Sequence, residues 1–201
     1  MSQRTLSPTS SLIADAAIRV IAQAGFDQVS VRHVATEAGL APGTVQHHFA
    51  SRDALLVGAM NRVIQRQLQR IVAMGMADHP AAILRRTLIE AMPFDETRRE
   101  EAIVWLVFSA AAPSRASLQA PHSAGIDMMR DLIRDLLAAA RERGSLRAGL
   151  DLDAETVLLA ATIDGLMMHA INTETDRQPL IEAALNLAIR RLFIELDQPT
   201  N

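Results

Sequence analysis

The chain of 201 residues has no cysteine, no lysine and no tyrosine, and aromatic residues make up only 3% of it. Without cysteine there are no disulfides, thiolate zinc sites, iron–sulfur ligands or cysteine nucleophiles, a composition that suits a reducing cytosol. Without lysine, all 20 basic residues are arginines; against 23 acidic residues the formal charge is −3, a total that does not by itself point to nucleic acid. The first ten residues are polar and lack the apolar core of about 7–15 residues that a secretory signal needs. The longest uncharged apolar run, Ala102 to Ala112, is about half of the ~20 residues required to cross a bilayer. A soluble, cytoplasmic protein with no membrane partner is expected.

What is present is helical in character. Hydrophobic residues make up 49% of the chain, with abundant Ala and Leu and no alternating Val, Ile and Thr run that would argue for a sheet. The fold class expected is all-α, with about nine helices. The first runs from about Thr9 to Ala24, with Leu12, Ile13, Ala16, Ala17, Val20, Ile21 and Ala24 on one stripe and Gly25 ending it. Ser30 caps a short helix, Val31 to Ala38, which Gly39 breaks; Pro42 opens the next, to His48. Ser51 caps a long helix, about Arg52 to Met74. Asp78 and Pro80 start a fifth, ended by Pro93, and Asp95 starts a sixth whose second half, 102–112, is apolar all round and should be buried. Pro113 and Pro121 bracket a loose segment before a helix from about Ser123 to Arg143, stopped at Gly144. Asp153 caps the eighth helix, to about Thr173, and Pro179 sets the first turn of the ninth, to about Leu196.

The stretch from Ser30 to Phe49 reads as a helix-turn-helix. Ala35 is small where two helices cross, Gly39 takes the turn four residues on, and Val34, Leu40, Val45 and Phe49 supply the joint core. With the first helix covering the other side, this three-helix unit can present its third helix to a DNA major groove.

The segment from Ile13 to Leu56 resembles the N-terminal domain of TetR-family transcriptional regulators. The resemblance is carried by Ala-Gly-Phe (24–26), Ser-Val-Arg-His-Val-Ala (30–35), Glu-Ala-Gly-Leu (37–40), Gly-Thr-Val (43–45), His-Phe (48–49) and Ser-Arg-Asp-Ala-Leu-Leu (51–56). Trp-Leu-Val-Phe-Ser-Ala (105–110) and Asp-Gly-Leu (164–166) are similar to the choline-repressor type of C-terminal domain. The resemblance implies a dimeric, ligand-responsive regulator, usually a repressor, divided into a DNA-binding domain (1–52) and a regulatory, dimerising domain (53–201).

The resemblance also implies a DNA-facing set: Ser30, Arg32, Pro42, Gly43, Thr44, Gln46, His47 and Arg52. Arg32 stands where some members place a base-reading Arg, and its guanidinium suits guanine O6 and N7. Thr44 takes the place of a phosphate-contacting hydroxyl, and Arg52 that of the Lys common at the start of the fourth helix, where a phosphate can be held. Gln46 replaces a common Tyr, offering an amide that suits adenine. Ala41 replaces a frequent Ser and leaves its helix without a side-chain cap. His47 and His48 point about 100° apart on a helix and have no further ligand at metal spacing, so one facing DNA and one packing inward is expected.

In the second domain, Trp105 and Phe108 lie at i, i+3, and Met92, Met128, Met129, Met167 and Met168 lie on surrounding helices. Such flexible side chains suit either core or an adaptable pocket. Asp164 interrupts an apolar helix and needs a partner or a solvated position. The effector-binding residues expected are Met92, Trp105, Phe108, Met129, Asp164 and Met168. Ile181, Leu185, Ala188, Leu192 and Leu196 recur at spacings of 4, 3, 4 and 4, and the eighth helix is similarly apolar, more surface than one copy can cover. A two-fold four-helix interface between copies, built on Ile181, Leu185, Ala188 and Leu192, is expected.

These features predict a repressor that binds a palindromic double-stranded operator as a homodimer through helices 8 and 9. A small apolar or amphipathic effector would release it. The alternative is a DNA-binding protein without such an effector, governed by a protein partner. No catalytic motif appears among Gly-x-Ser-x-Gly, phosphate loops, His-Glu-x-x-His and Gly-x-Gly-x-x-Gly, so neither an enzyme nor a cofactor or metal is expected. The charge divides accordingly: residues 1–52 hold four Arg and three acidic residues (+1), residues 53–201 sixteen Arg and twenty acidic residues (−4). A head so mildly basic should bind non-specific DNA weakly and depend on well-fitted contacts.

Overall fold

A computed structural model describes residues 6–75, 79–173 and 178–194. Among them are nine α-helices: α1 (Pro8–Ala24), α2 (Val31–Ala38), α3 (Pro42–His48), α4 (Arg52–Ala73), α5 (Pro80–Ile89), α6 (Glu96–Ala111), α7 (Ala116–Glu142), α8 (Leu152–Ile171) and α9 (Gln178–Arg190). Short 3-10 turns lie at Phe26–Gln28 and Ala112–Ser114. Among the described residues the sole β-pairing is one isolated antiparallel bridge, Leu146 to Phe193. The all-α expectation holds.

By packing, the chain forms two compact units, Met1–Arg66 with Arg99–Ser123, and Gln67–Arg98 with Ala124–Asn201. The first is built on Ile13, Ala17 and Ile21 of α1, Val34 and Ala35 of α2, Val45 of α3, Leu55, Leu56, Ala59 and Met60 of α4, and Val104 and Phe108 of α6, all buried. Leu12, expected on the buried stripe of α1, is 44% exposed, and Ile18 is buried instead. Gly58 lets α4 lie directly on Phe49, since a Cβ there would fall 2.4 Å from the ring's Cε1. Ion pairs join three helices: Asp15 of α1 receives Arg62 Nε at 2.7 Å and Arg66 Nη2 at 3.1 Å, and Arg66 Nη1 lies 3.6 Å from Glu101 of α6. Glu101 is buried, and the Arg66 guanidinium is one of the groups that meet it.

The second unit packs Leu84 and Leu88 of α5 with Ile133 and Leu137 of α7, Leu159, Ile163 and Met167 of α8, and Ile181, Leu185 and Ile189 of α9. Arg85 donates to Glu182 and, through Nε, to Asn186 Oδ1 at 2.7 Å, which fixes the face that α9 turns toward α5. The bridge segment is closed by Arg147 N–H to Leu192 C=O (2.9 Å) and Ile194 N–H to Ser145 C=O (3.0 Å).

Several sequence expectations are corrected. The apolar half of α6 is not buried all round: Ala102, Val104 and Phe108 are, while Trp105, Leu106 and Val107 are half-exposed. The loose segment expected to reach 123 is already helix from Ala116, with Pro121 inside it. In the second turn of a long helix, its missing N–H forgoes a single hydrogen bond, the one it would donate to the Ser117 carbonyl. Helix α5 ends at Ile89, ahead of Pro93, and its cap is His79, whose Nδ1 faces Ala81 N–H at 3.2 Å. The cap of α8 is Asp151, which accepts from Asp153 N–H and Ala154 N–H. Asp153 instead accepts from Arg134 Nε at 2.6 Å, which holds its carboxyl below the ordinary value. Helix α9 ends at Arg190, before the buried Leu192 and Phe193. Asp78 and Leu196 lie outside the described residues.

Candidate nucleic-acid interface and its regulatory partner regions

The helix-turn-helix is assembled by local chemistry. Ser30 is extended (φ −147°, ψ 158°), and its Oγ accepts from His33 N–H at 3.1 Å, starting α2. Gly39 takes the left-handed conformation (φ +67°, ψ 31°) and Leu40 N–H closes on Ala35 C=O at 2.9 Å. Ala41 is extended, has no side-chain cap, and leads into Pro42 in the first turn of α3. Val34, Ala35, Val45 and Phe49 are buried, so the two helices share one core.

Their other sides are polar and open. Ser30, Arg32, Pro42, Gly43, Gln46 and His47 are exposed and Thr44 is half-buried. His48 is half-buried, its Nδ1 3.1 Å from Ser10 Oγ, so the two histidines divide into one outward and one inward. Arg19 pairs with Glu37 at 2.6 Å. Arg32 is left as an exposed guanidinium with no carboxylate partner among the described residues, available to a base edge.

Arg52 is already engaged within its own chain. Its Nη2 donates to Phe26 C=O (2.7 Å) and its Nε to Val29 C=O (3.0 Å), and its guanidinium lies 5.2 Å from the Phe26 ring centroid. It closes the turn that enters α2. The sequence places a cation at a helix start, which suits a phosphate or a turn alike; the carbonyls that claim it lie more than twenty residues earlier. Phe26, at the centre of this arrangement, was legible only as part of Ala-Gly-Phe.

The expected effector residues fall in both units. In the first, Trp105 is half-buried with its ring 5.3 Å from His122; Ser109 Oγ lies 3.0 Å from His122 Nε2 and donates to Trp105 C=O at 2.9 Å. Phe108 is buried and meets Phe26 edge-on at 5.9 Å, interplanar angle 87°. In the second unit Met92 is buried, Met129 half-buried, and Asp164 and Met168 exposed. Asp164 therefore avoids the cost of burial within the single chain.

The expected seam between copies is also corrected. Ile181, Leu185 and Leu192 are buried inside their own chain and Ala188 is half-buried. The apolar side chains that α9 turns outward are Leu180 and Leu187, 67% and 70% exposed, and α8 adds Val157, Leu158 and Met168. Over its 18-residue window α8 has a mean hydropathy of 1.3 with only 22% of the window buried. By length and composition alone it is long and apolar enough to cross a membrane; an apolar helix covered on one side equally suits packing against another helix.

Residues 80–193 match the family described as BetI-type transcriptional repressor, C-terminal, and residues 13–59 match the bacterial regulatory proteins of the tetR family. The HTH-type transcriptional regulator PksA of Bacillus subtilis is 35% identical over 160 residues, covering 79% of this chain and 77% of its own. The HTH-type transcriptional regulator BetI of Brucella abortus is 30% identical over 193 residues, covering 92% and 91%. Among solved structures, a transcriptional regulator of Rhodococcus sp. Rha1 superposes with a TM-score of 0.79 at 29% identity, covering 90% of this chain and 94% of that one. A regulator from Saccharomonospora viridis, solved with choline, superposes with a TM-score of 0.80 at 24% identity, covering 94% of this chain and 100% of that one.

Proposed function

The chain belongs to the TetR family of transcriptional regulators, with its helix-turn-helix as DNA-binding domain and a BetI-type C-terminal region, and from that premise we propose that it is a cytoplasmic, effector-released repressor acting as a homodimer on a palindromic operator. It is a regulator and not an enzyme. In this reading residues 1–52 read DNA and residues 53–201 bind the effector and the second copy.

The observation that carries the reading is the pairing of two surfaces: a polar, exposed helix pair with Arg32, Gln46 and His47 free to meet base edges, and an apolar outward side on α8 and α9. The first suits a major groove. The second suits its own copy, because a two-fold axis brings like patches together and yields two reading heads on one duplex face. The outward residues Leu180, Leu187, Val157, Leu158 and Met168 take the seam role first given to the inward ones.

The effector is a small apolar or amphipathic molecule, and within the first unit the half-buried Trp105 offers it a ring. It releases the operator only by binding the released state more tightly. A ~100-fold loss of operator affinity needs about 2.7 kcal/mol of such coupling, within the ordinary range for allosteric proteins.

Selection from random duplex DNA at moderate salt tests the core of this reading. The expected result is an enriched palindrome with half-sites about one helical turn, or a multiple, apart; no enrichment sinks it. Thermal stabilisation across a panel that includes choline and acyl amphiphiles, followed by DNA-release assays on the hits, tests the effector. Stabilisers that leave the operator occupied would move control to a protein partner.

A further inference from the structure

The corner between α6 and α7 reaches the helix-turn-helix at one aromatic residue. The Arg115 guanidinium lies 4.9 Å from the Phe26 ring centroid and its Nη2 3.6 Å from Asp27 Oδ1. Arg52, the first residue of α4, lies over the same ring and 3.5 Å from the same carboxylate oxygen. Phe108 adds its edge contact from α6, and Ser117 Oγ donates to Asp53 Oδ2 at 2.6 Å just beyond the corner. The Phe26–Gln28 turn leads directly to Ser30, the cap of α2. Whatever holds Phe26 therefore holds the entry to the reading helices.

The same face of α6 is anchored a second time. Glu101 and Phe108 are seven residues apart, two helical turns on one side, and Glu101 meets Arg66, which also meets Asp15 of α1. One end of this face meets α4 through charge, by way of Arg66, and the other meets the entry to α2 through an aromatic ring.

The two arginines at Phe26 differ in one respect. Arg52 is needed for the turn itself, since it bonds the carbonyls of residues 26 and 29. Among the described residues the Arg115 guanidinium makes no such bond to the backbone of the turn; it joins a neighbouring element to a ring and carboxylate already in place. We propose that Arg115 is a positioning residue for operator recognition: it fastens the α6–α7 corner to Phe26 and so sets the angle at which each helix-turn-helix meets its half-site. This rests on the reading of the protein as a dimer on a two-fold operator. In a dimer, the pose of each head decides which half-site spacing is accepted. Each inserted base pair turns one half-site by about 34° around the duplex, so a firmly held head tolerates little change and a loosened head tolerates more.

The test uses the full chain and the operator recovered by selection, with its centre lengthened or shortened by one and two base pairs. The wild-type protein is expected to lose at least ~10-fold in affinity per base pair of misfit, the scale of a lost half-site contact. Arg115→Ala is expected to bind the best spacing within about fivefold of wild type yet lose less than about threefold at the altered spacings, as loosened coupling between otherwise intact sites requires. Arg115→Lys, which keeps the charge but not the planar stacking, should fall between. An unchanged spacing profile in Arg115→Ala overturns the proposal, and so does an equal loss at every spacing accompanied by a lowered unfolding midpoint, which would make Arg115 structural only. A wild-type chain that enriches no palindrome fails earlier and overturns the dimeric reading, and this role with it.

Discussion

Two helix pairs expose opposite chemistry. In α2 and α3 the outward residues are Arg32, Thr36, Gln46 and His47, while Val34, Ala35 and Val45 are buried. In α8 and α9 the outward residues include Val157, Leu158, Met168, Leu180 and Leu187, although each helix also buries a full apolar side of its own. A polar surface is stable in water and exchanges it for phosphate and base edges only when DNA is present. An apolar surface of that size is unfavourable in water at all times and is expected to stay covered. The first region is built for a reversible encounter, the second for a standing one.

The comparison can be broken most severely at Leu187. Leu187→Asp puts a charge on the outward side of α9, so the dimer should dissociate in sedimentation, and operator affinity should fall by ~100-fold or more once the two half-sites are no longer bound together. A dimer that survives this change places the seam elsewhere. Leu185, two residues away and buried, sharpens the contrast: Leu185→Ala should cost about 2–5 kcal/mol in denaturant unfolding. The dimerisation constant, corrected for folded fraction, should hardly move.

At the polar pair, Arg32→Ala should cost about 1–3 kcal/mol and relax preference at one base pair. A uniform loss across all sequences would make Arg32 a phosphate contact instead. The smallest contrast lies at the start of α8. Asp151→Ala removes the cap and should cost about 1 kcal/mol, whereas Asp153→Ala should leave the unfolding midpoint unchanged, because its partner Arg134 is also solvent-exposed. With its carboxyl held below the ordinary value by the Arg134 hydrogen bond, any contribution of Asp153 is complete at neutral pH. It would be lost only as pH falls through that lowered value.

How far these regions could be read in advance differs for the same physical reason. The helix-turn-helix is specified by local signals: a Ser at one cap, a Gly where φ is positive, a Pro in a first turn, and the observed limits of α2 and α3 coincide with them. Helix α9 is amphipathic twice over, with Ile181, Leu185 and Ile189 on one apolar side and Leu180 and Leu187 on another. Periodicity names both sides but not which faces inward. That choice depends on partners remote in sequence: Leu84 and Leu88 of α5 are buried with Ile181, Leu185 and Ile189, and Arg85 reaches Glu182 and Asn186 from about a hundred positions earlier. Arg52 shows the same limit, its carbonyl partners being remote in sequence. Two aspartates near one helix start, 151 and 153, are chemically interchangeable as caps, and only the placement of Arg134 separates them.

The contact between Gly58 and Phe49 has a mechanical consequence. Phe49 is the residue that ends α3, and it rests on the bare main chain of α4. Most helix contacts pass through side chains that can change rotamer and absorb a few tenths of an ångström, a kind of backlash in the gearing. Here only the Phe49 ring can give, so a small axial turn of α4 reaches the end of α3 with less slack. A methyl at residue 58 would fall 2.4 Å from the Phe49 ring and force it to move, so Gly58→Ala should lower the unfolding midpoint and weaken operator binding together.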